Sequence, residues 1–267
     1  MIDRNMQLST PDMSPDDAPL PLSADGFLGG RLQLRQPADG YRAAIDPVLL
    51  AAAVTAVPGE RIADLGCGVG TAGLCLLTRV PETHCLGLDM QLALVEFART
   101  NAAANGLGDR YRAESGSILD RAALRRLLAS GDAVDQVIVN PPYLPKGEAS
   151  VSEHPVKALA NVESDAALAD WVAVAARLVK PGGTVTFIHR ADRLPDLVGE
   201  MRQHLGSLVI LPIQPKAEAP ASRVIIAGRK AKRAPARLLP AFVLHDQSGA
   251  YTAMAEAVLR AGAAITL

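Results

Sequence analysis

The chain has 267 residues, 49% of them hydrophobic, 21% charged and only 3% aromatic, with a formal net charge of −1. That much apolar matter excludes a wholly disordered protein, which is poor in hydrophobics and strongly charged. The neutral balance points neither to a nucleic-acid binder nor to an enzyme of acidic substrates. No apolar run reaches the roughly 18 residues that span a bilayer, and the longest, 43–57, is broken by Asp46 and Pro47. No secretory signal is expected, because no basic start leads into an apolar block. Cys67, Cys75 and Cys85 are odd in number and lack C-x-x-C spacing. Neither a disulfide framework nor a zinc site is therefore expected, and a reducing cytoplasm is the expected compartment.

In chain order, residues 1–25 carry five aspartates against one arginine, with Pro and Ser and no apolar period. They predict a disordered acidic tail. Residues 26–58 predict a strand or hairpin over 27–37 (F-L-G-G-R-L-Q-L-R-Q-P), then a helix over 44–54. From residue 61, β-type runs at 61–65, 84–88, 111–114, 135–139 and 184–189 alternate with helical patterns. Those patterns cover 71–79, 91–105, 121–129, 166–179 and 193–205. Such alternation predicts βαβ units and a parallel sheet covered on both faces, an α/β fold. Asp120 and Ser164 stand at N-cap positions, and K-P-G-G at 180–183 reads as a helix stop followed by a turn. Runs at 208–213 and 224–227 predict a closing antiparallel pair. The main domain is thus expected over 59–230, followed by a C-terminal extension at 231–267 whose structure is mixed. Residues 201–267 hold nine cations against three acids, with a basic loop at 228–237.

Three motifs carry chemistry. D-L-G-C-G-V-G-T at 64–71 lies between a predicted strand and a predicted helix. Gly66, Gly68 and Gly70 allow a tight turn and close approach of a ligand, and the helix N-terminus aims free N–H groups at it. The spacing is G-x-G-x-G, whereas dinucleotide sites need G-x-G-x-x-G, and Thr71 occupies the missing position. Alone, such a loop is also compatible with a structural turn. Asp89 in G-L-D-M at 87–90 ends the next strand, where a carboxylate accepts from ribose hydroxyls or caps the following helix. N-P-P-Y at 140–143 ends the fourth strand. Its prolines remove two N–H donors, leaving the Asn140 side-chain oxygen and the Pro141 carbonyl as paired acceptors for an –NH2 group. Tyr143 offers a flat face for stacking. An isolated N-P-P is an ordinary turn, but at the carboxyl end of a central strand it lies where open α/β sheets bind ligands.

With these motifs the sequence resembles the S-adenosylmethionine-dependent class I methyltransferases, in the branch that methylates amino groups through N-P-P-Y. Q-P-x-x-G-Y-R-x-x-I-D-P-V-L-L-A at 36–51 and N-P-P-Y-L-P-K-G at 140–147 are similar to bacterial tRNA adenine-N6 methyltransferases acting on valine tRNA. The resemblance implies a Rossmann-like fold with a mainly parallel seven-stranded sheet, helices on both faces and an antiparallel closing strand. It implies that Asp64, Gly66, Cys67, Gly68 and Gly70 surround the methionine part of the cofactor. Asp89 then holds the ribose, and Met90 packs on the adenine, with Ser117 and Ile118 beside it. Asn140, Pro141, Pro142 and Tyr143 receive the target base, and Asn140 also borders the cofactor. Ser117 stands where the family usually has an Asp, so a weaker hold on the adenine amino group is expected. The implied product is S-adenosylhomocysteine, the implied partner is RNA in the form of tRNA, and neither a metal nor a membrane is expected.

The same acceptor pair also suits a glutamine side-chain amide, so a release factor methyltransferase is an alternative. A protein that keeps the fold but binds RNA or senses the cofactor without catalysis is another. His189 is expected to be structural, and Trp171, spaced helically with Leu168, Val172 and Ala175, is expected in the core. Asp46 caps a helix or contacts cofactor. His84, His154, His204 and His245 lack metal spacing. For the basic cluster, a solvated face and a phosphate-contacting surface stand level.

Overall fold

The computed structural model describes residues 22–37, 45–128, 132–143 and 166–267. The tail to residue 21, G-Y-R at 40–42, L-P-K-G at 144–147, His154 and Ser164 lie outside the described residues. A hairpin of β1 (Leu22–Phe27) and β2 (Leu32–Pro37) leads to α1 (Ile45–Ala53). Then come β3 (Arg61–Leu65), α2 (Thr71–Arg79), β4 (His84–Asp89), α3 (Leu92–Ala104), β5 (Tyr111–Ser115), α4 (Arg121–Leu128) and β6 (Val134–Val139). After the N-P-P-Y turn follow α5 (Leu168–Leu178), β7 (Val179–Arg190), α6 (Leu194–His204), β8 (Gly206–Lys216) and β9 (Arg223–Arg229). Two short strands, β10 (Arg237–Leu238) and β11 (Phe242–His245), and α7 (Ala253–Leu259) complete the chain.

The main sheet runs β5-β4-β3-β6-β7-β9-β8, with β10 and β11 added in turn along the outer edge of β8. It therefore has nine strands, two more than the resemblance implies, and the extra pair comes from the region expected to be mixed. Strands β3 to β7 are parallel where they pair, and β9 is antiparallel to both β7 and β8. Alternate residues of each central strand enter opposite cores. Ile62, Ile138, Ile188 and Ile225 pack with α1, α2 and α3, while Ala63, Val137, Phe187 and Ile226 pack with α4, α5 and α6. Burial on both faces is why these strands read as continuous apolar runs.

Three local readings change. β1 takes in residues 22–25, which composition assigns to the tail, because Asp25 is held inside the hairpin. Its Oδ2 accepts from Ser23 Oγ at 2.9 Å and from Gln36 Nε2 at 2.7 Å. K-P-G-G does not precede β7 but lies within it as a bulge, since Val134 pairs with Val179 and Gln136 already pairs with Thr184. Gly182 takes φ +82°, and a Cβ at Gly183 would lie 2.4 Å from the Asp135 carbonyl oxygen. Residues of the C-terminal stretch also share a core with α1: Phe242, Leu244, Val258 and Ile265 pack there. Ile265 N–H donates to the Ala52 carbonyl at 2.8 Å, and Arg79 reaches the Ala51 and Val54 carbonyls from α2.

Candidate active site

The chain runs outward from β3 to β5, then returns to place β6 on the other side of β3. The crevice at the carboxyl ends of β3 and β6 is thus a topological switch point, where open α/β sheets bind ligands. A cavity of about 1120 Å³, its open mouth included, occupies it. Asp64, Gly66, Cys67 and Gly68 line it from β3 and the loop after it, and Asp89 and Met90 from the end of β4. Ser117 and Ile118 line it from the loop after β5, and Asn140, Pro141, Pro142 and Tyr143 from the turn after β6. Gly70 is not among the lining residues. With φ +89° it starts α2, and a Cβ there would meet Tyr111 Oη, Leu74 and Ala98 at 3.1–3.3 Å. Its glycine serves packing behind the loop.

The loop is tied to β4. Gly66 and Cys67 N–H groups donate to the Leu88 carbonyl at 2.8 and 3.0 Å, and Gly68 N–H donates to Asp89 Oδ2 at 2.9 Å. The other Asp89 oxygen accepts from Gln91 N–H at 2.9 Å, so helix capping and loop anchoring both use this carboxylate. Each oxygen retains a further lone pair for a ligand hydroxyl. Burial raises the Asp89 pKa, and the N–H donors from Gln91, Gly68 and Met90 counter that rise. Asp64, 2% exposed, accepts from Gly73 N–H at 3.1 Å. Burial pushes its carboxyl up to about 7; the Gly73 hydrogen bond opposes the rise and the Asp89 charge adds to it.

Two lining residues carry signals that local sequence reading assigned elsewhere. Trp171, on α5, is 6% exposed as a core residue would be, yet its indole also walls the cavity. A Cβ at Gly66 would lie 3.1 Å from the indole, so Gly66 is needed for this packing as well as for its φ of +74°. Gln36, 1% exposed, reaches the cavity from β2. The only foretaste of it lies in the motif at 36–51.

Around N-P-P-Y the structure assembles side chains distant in sequence. Tyr143 Oη lies 2.7 Å from Asp46 Oδ2 and 2.8 Å from Asn140 Oδ1. Arg223 Nε donates to the same Asp46 oxygen at 2.9 Å, and its guanidinium carbon stands 4.9 Å from the centre of the Tyr143 ring. Burial disfavours the Arg223 charge, but Asp46 more than compensates and the guanidinium pKa is raised. The His189 ring lies 5.3 Å from that of Tyr143, fully buried, its Nδ1 accepting from Arg190 N–H at 2.8 Å. Burial first, and Arg193 next, lower its pKa to about 4, so it is neutral near pH 7.

The methyltransferase small domain model matches residues 45–211, more than half of the chain. The chain belongs to the methyltransferase small domain family. It is 30% identical over 180 residues to the tRNA1(Val) (adenine(37)-N6)-methyltransferase of Porphyromonas gingivalis, covering 66% of this chain and 69% of that one. It is 41% identical over 88 residues to the release factor glutamine methyltransferase of Bradyrhizobium diazoefficiens, covering 33% of this chain and 27% of that one. Among solved structures, a predicted O-methyltransferase from Agrobacterium tumefaciens aligns with TM-score 0.66 and 25% identity over 83% of this chain and 99% of that one. The chain is thus an S-adenosylmethionine-dependent methyltransferase with the Rossmann-like class I fold.

The cavity fits that methyl donor. Its floor is glycine backbone, and a Cβ at Gly68 would meet nothing within 4 Å, which leaves room for a ligand against the loop. Thr71 and Trp171 line the cavity, and the Thr71 hydroxyl and the Trp171 indole N–H are buried without a hydrogen-bond partner among the described residues. Buried polar groups are nearly always satisfied, and a polar ligand supplies what these two lack. Among the described residues no group of His, Cys, Asp or Glu is placed to hold a metal ion. No described helix is long and apolar enough to cross a membrane.

Proposed function

We propose that this methyltransferase acts on the exocyclic N6 amino group of an adenine in tRNA, in the cytoplasm. The observation that carries the reading is the placement of Asn140–Tyr143 on the same cavity as the glycine loop, at the switch point of the sheet. When bound, S-adenosylmethionine supplies an electrophilic methyl group. Asp64, Gly66, Cys67 and Gly68 border its methionine part, Asp89 its ribose, and Met90, Ser117 and Ile118 its adenine. The amino lone pair of adenine is delocalised into the ring and is a poor nucleophile. Two acceptors, the Asn140 side-chain oxygen and the Pro141 carbonyl, hold its N–H groups and aim that lone pair. Prearranged acceptors and fixed geometry provide the rate, and no base has to remove a proton beforehand. The target base leaves its stack to reach the turn and is received by the Tyr143 ring.

The relatives named as tRNA adenine methyltransferases support this substrate. Those named as release factor methyltransferases support a glutamine amide, which suits the same two acceptors. Mass spectrometry of tRNA nucleosides from a deletion strain and its parent decides between them. Loss of one N6-methyladenosine is expected, and unchanged tRNA with an unmethylated release factor would establish the second reading. In the purified protein, Asn140→Ala is expected to lower methyl transfer on the order of 100- to 1,000-fold. Cofactor affinity by calorimetry should stay close to wild type, and normal turnover would reduce N-P-P-Y to a turn.

A further inference from the structure

Asp64 lies near the end of β3, lines the cavity and is almost fully buried. Its hydrogen-bond donor among the described residues is Gly73 N–H at 3.1 Å, in the first turn of α2. The titratable groups around it are all acids. Cys67 from the loop after β3, Cys85 and Asp89 from β4 and Tyr111 from β5 face it, and among the described residues no cation does. Its pairing partner on β6, Ile138, carries no charge. Two glycines make room for this cluster. A Cβ at Gly73 would lie 2.7 Å from Cys85 Sγ and 3.3 Å from Asp64 Oδ2. One at Gly87 would lie 2.6 Å from Tyr111 Oη and 2.8 Å from Cys67 Sγ. Burial pushes both thiols and the phenol well above their ordinary values, so they stay neutral. Asp89 accepts from the Gly68 and Gln91 N–H groups, which favour its ionised form, whereas Asp64 has the Gly73 donor and no counter-charge. A buried carboxyl so placed holds its proton more tightly than one in water, and a positive charge brought beside it drives that proton off.

The methyl donor brings such a charge. Its sulfur is a sulfonium, permanently positive, while the amino and carboxylate groups of its methionine part cancel one another. Once the methyl group has gone, the sulfur is a neutral sulfide and the net charge has fallen by one. We infer that Asp64 reads this difference: it is ionised beside the donor and takes a proton back beside the spent product, so the site tells the two apart by charge. On donor binding the O–H bond of the Asp64 carboxyl breaks, its electron pair stays on the carboxylate and the proton goes to solvent. When product occupies the site, a proton returns from solvent. Burial first, with the Gly73 donor opposing it and Asp89 adding to it, places the titration of free Asp64 at about 7. Donor affinity therefore rises with pH up to that point and levels off above it, whereas product affinity stays nearly level. This inference rests on the proposed placement of the methionine part beside Asp64.

Isothermal calorimetry of the wild-type protein, in buffers of different ionisation heat, counts the protons released by each ligand and gives its Kd. At pH 6, below the Asp64 pKa of about 7, S-adenosylmethionine is expected to release roughly 0.9 proton. S-adenosylhomocysteine should release less than about half as many. From pH 6 to pH 8 the donor Kd should fall roughly tenfold, because the protonated share of free Asp64 drops from about nine-tenths to about one-tenth. The product Kd should change by less than about threefold over the same range. Asp64→Asn, which does not titrate, should release no proton with either ligand and show a donor Kd that is level with pH. Donor binding without proton release at pH 6, equal release by both ligands, or release that persists in Asp64→Asn would each overturn the inference. The wild-type proton counts decide even where the variant binds too weakly to measure. Donor binding without proton release would also remove the methionine part from Asp64, while leaving the cavity a methyl-donor site. Absence of donor binding at every pH would instead refute that reading of the cavity.

Discussion

Asp64 shows how a single side chain couples the site to pH. Its carboxylate is buried at the base of the glycine loop with Gly73 N–H as a hydrogen-bond donor, and its pKa is raised from 3.8 to about 7. A folded-state pKa above the unfolded value means that the folded protein holds the proton more tightly. The stability this gives is complete below about pH 4 and is lost as pH rises through about 7. Asp64→Asn keeps an oxygen for Gly73 and removes the titration. In the ligand-free protein it should therefore gain stability over wild type between about pH 5 and about pH 8, on the order of a few kcal/mol at most. Urea unfolding at the two pH values measures this, and a difference that does not change with pH would contradict the assignment. Ser117 illustrates the opposite case. Its hydroxyl accepts from Leu119 N–H at 3.2 Å within its own turn, so a residue expected to face the adenine also has a local use.

At the scale of elements, the hairpin over the cavity is attached by two asparagines about one helical turn apart, Asn101 on α3 and Asn105 at its C-cap. Asn105 Oδ1 accepts from Gln33 N–H at 2.9 Å, and its Nδ2 donates to the Gln33 carbonyl at 2.7 Å. Asn101 repeats the pattern on Arg35, at 2.8 and 3.0 Å. Each carboxamide pairs with β2 as a neighbouring strand would, and the spacing of two residues on the strand matches four on the helix. Asn101, fully buried, also donates to the Val69 carbonyl at 3.1 Å, so one side chain joins the hairpin to the glycine loop. Removing it would leave buried backbone groups unpaired. Asn101→Ala is expected to destabilise the protein by about 3 kcal/mol and Asn105→Ala, on the exposed side, by about 1 kcal/mol. Denaturant titration of both variants checks this, and equal losses would count against the buried junction.

At the scale of the whole molecule, the two ends of the sheet differ in purpose. Arg190 and Arg223 pair at the end that carries the cavity, whereas Arg229 pairs with Thr184 at the other. Arg223 and Arg229 are six positions apart along the strand, roughly 20 Å. The basic run that begins at Arg229 therefore sits away from Asn140. Part of it is structural: Arg229 donates to the Gly182 carbonyl, and Lys230 Nζ donates to the Val179 and Arg177 carbonyls at the end of α5. Of the two readings of this cluster, its distance from Asn140 favours the solvated face. Replacing the exposed Lys232 and Arg233 by Ala is therefore expected to leave the salt slope of tRNA binding nearly unchanged, whereas a phosphate-contacting cluster would lose about 1 from the slope for each cation. Filter binding across salt concentrations measures this, and a slope lowered by about 2 would place the RNA on the far edge.

The alternation of strands and helices, the glycine loop and the N-P-P-Y turn were all legible along the chain, because each is written in neighbouring residues through periodicity or backbone conformation. The strand boundaries at 61–65 and the helix at 71–79 coincide with β3 and α2 for that reason. What only the tertiary structure decided concerns residues whose meaning depends on a partner far away. Gly70 turns its back on the cavity because Tyr111 and Ala98 crowd behind it, and a glycine in sequence does not say which side must be empty. Trp171 shows a core period, yet its indole is long enough to cross from α5 to the loop after β3. Asp46 lies 97 residues from Tyr143 and 177 from Arg223. Their shared hydrogen bonds exist because β6 and β9 flank β7 and bring the turn after one beside the start of the other, with α1 packed across their ends. Local patterns set which elements form, but strand order sets which side chains meet, and the chemistry of this site depends on the meeting.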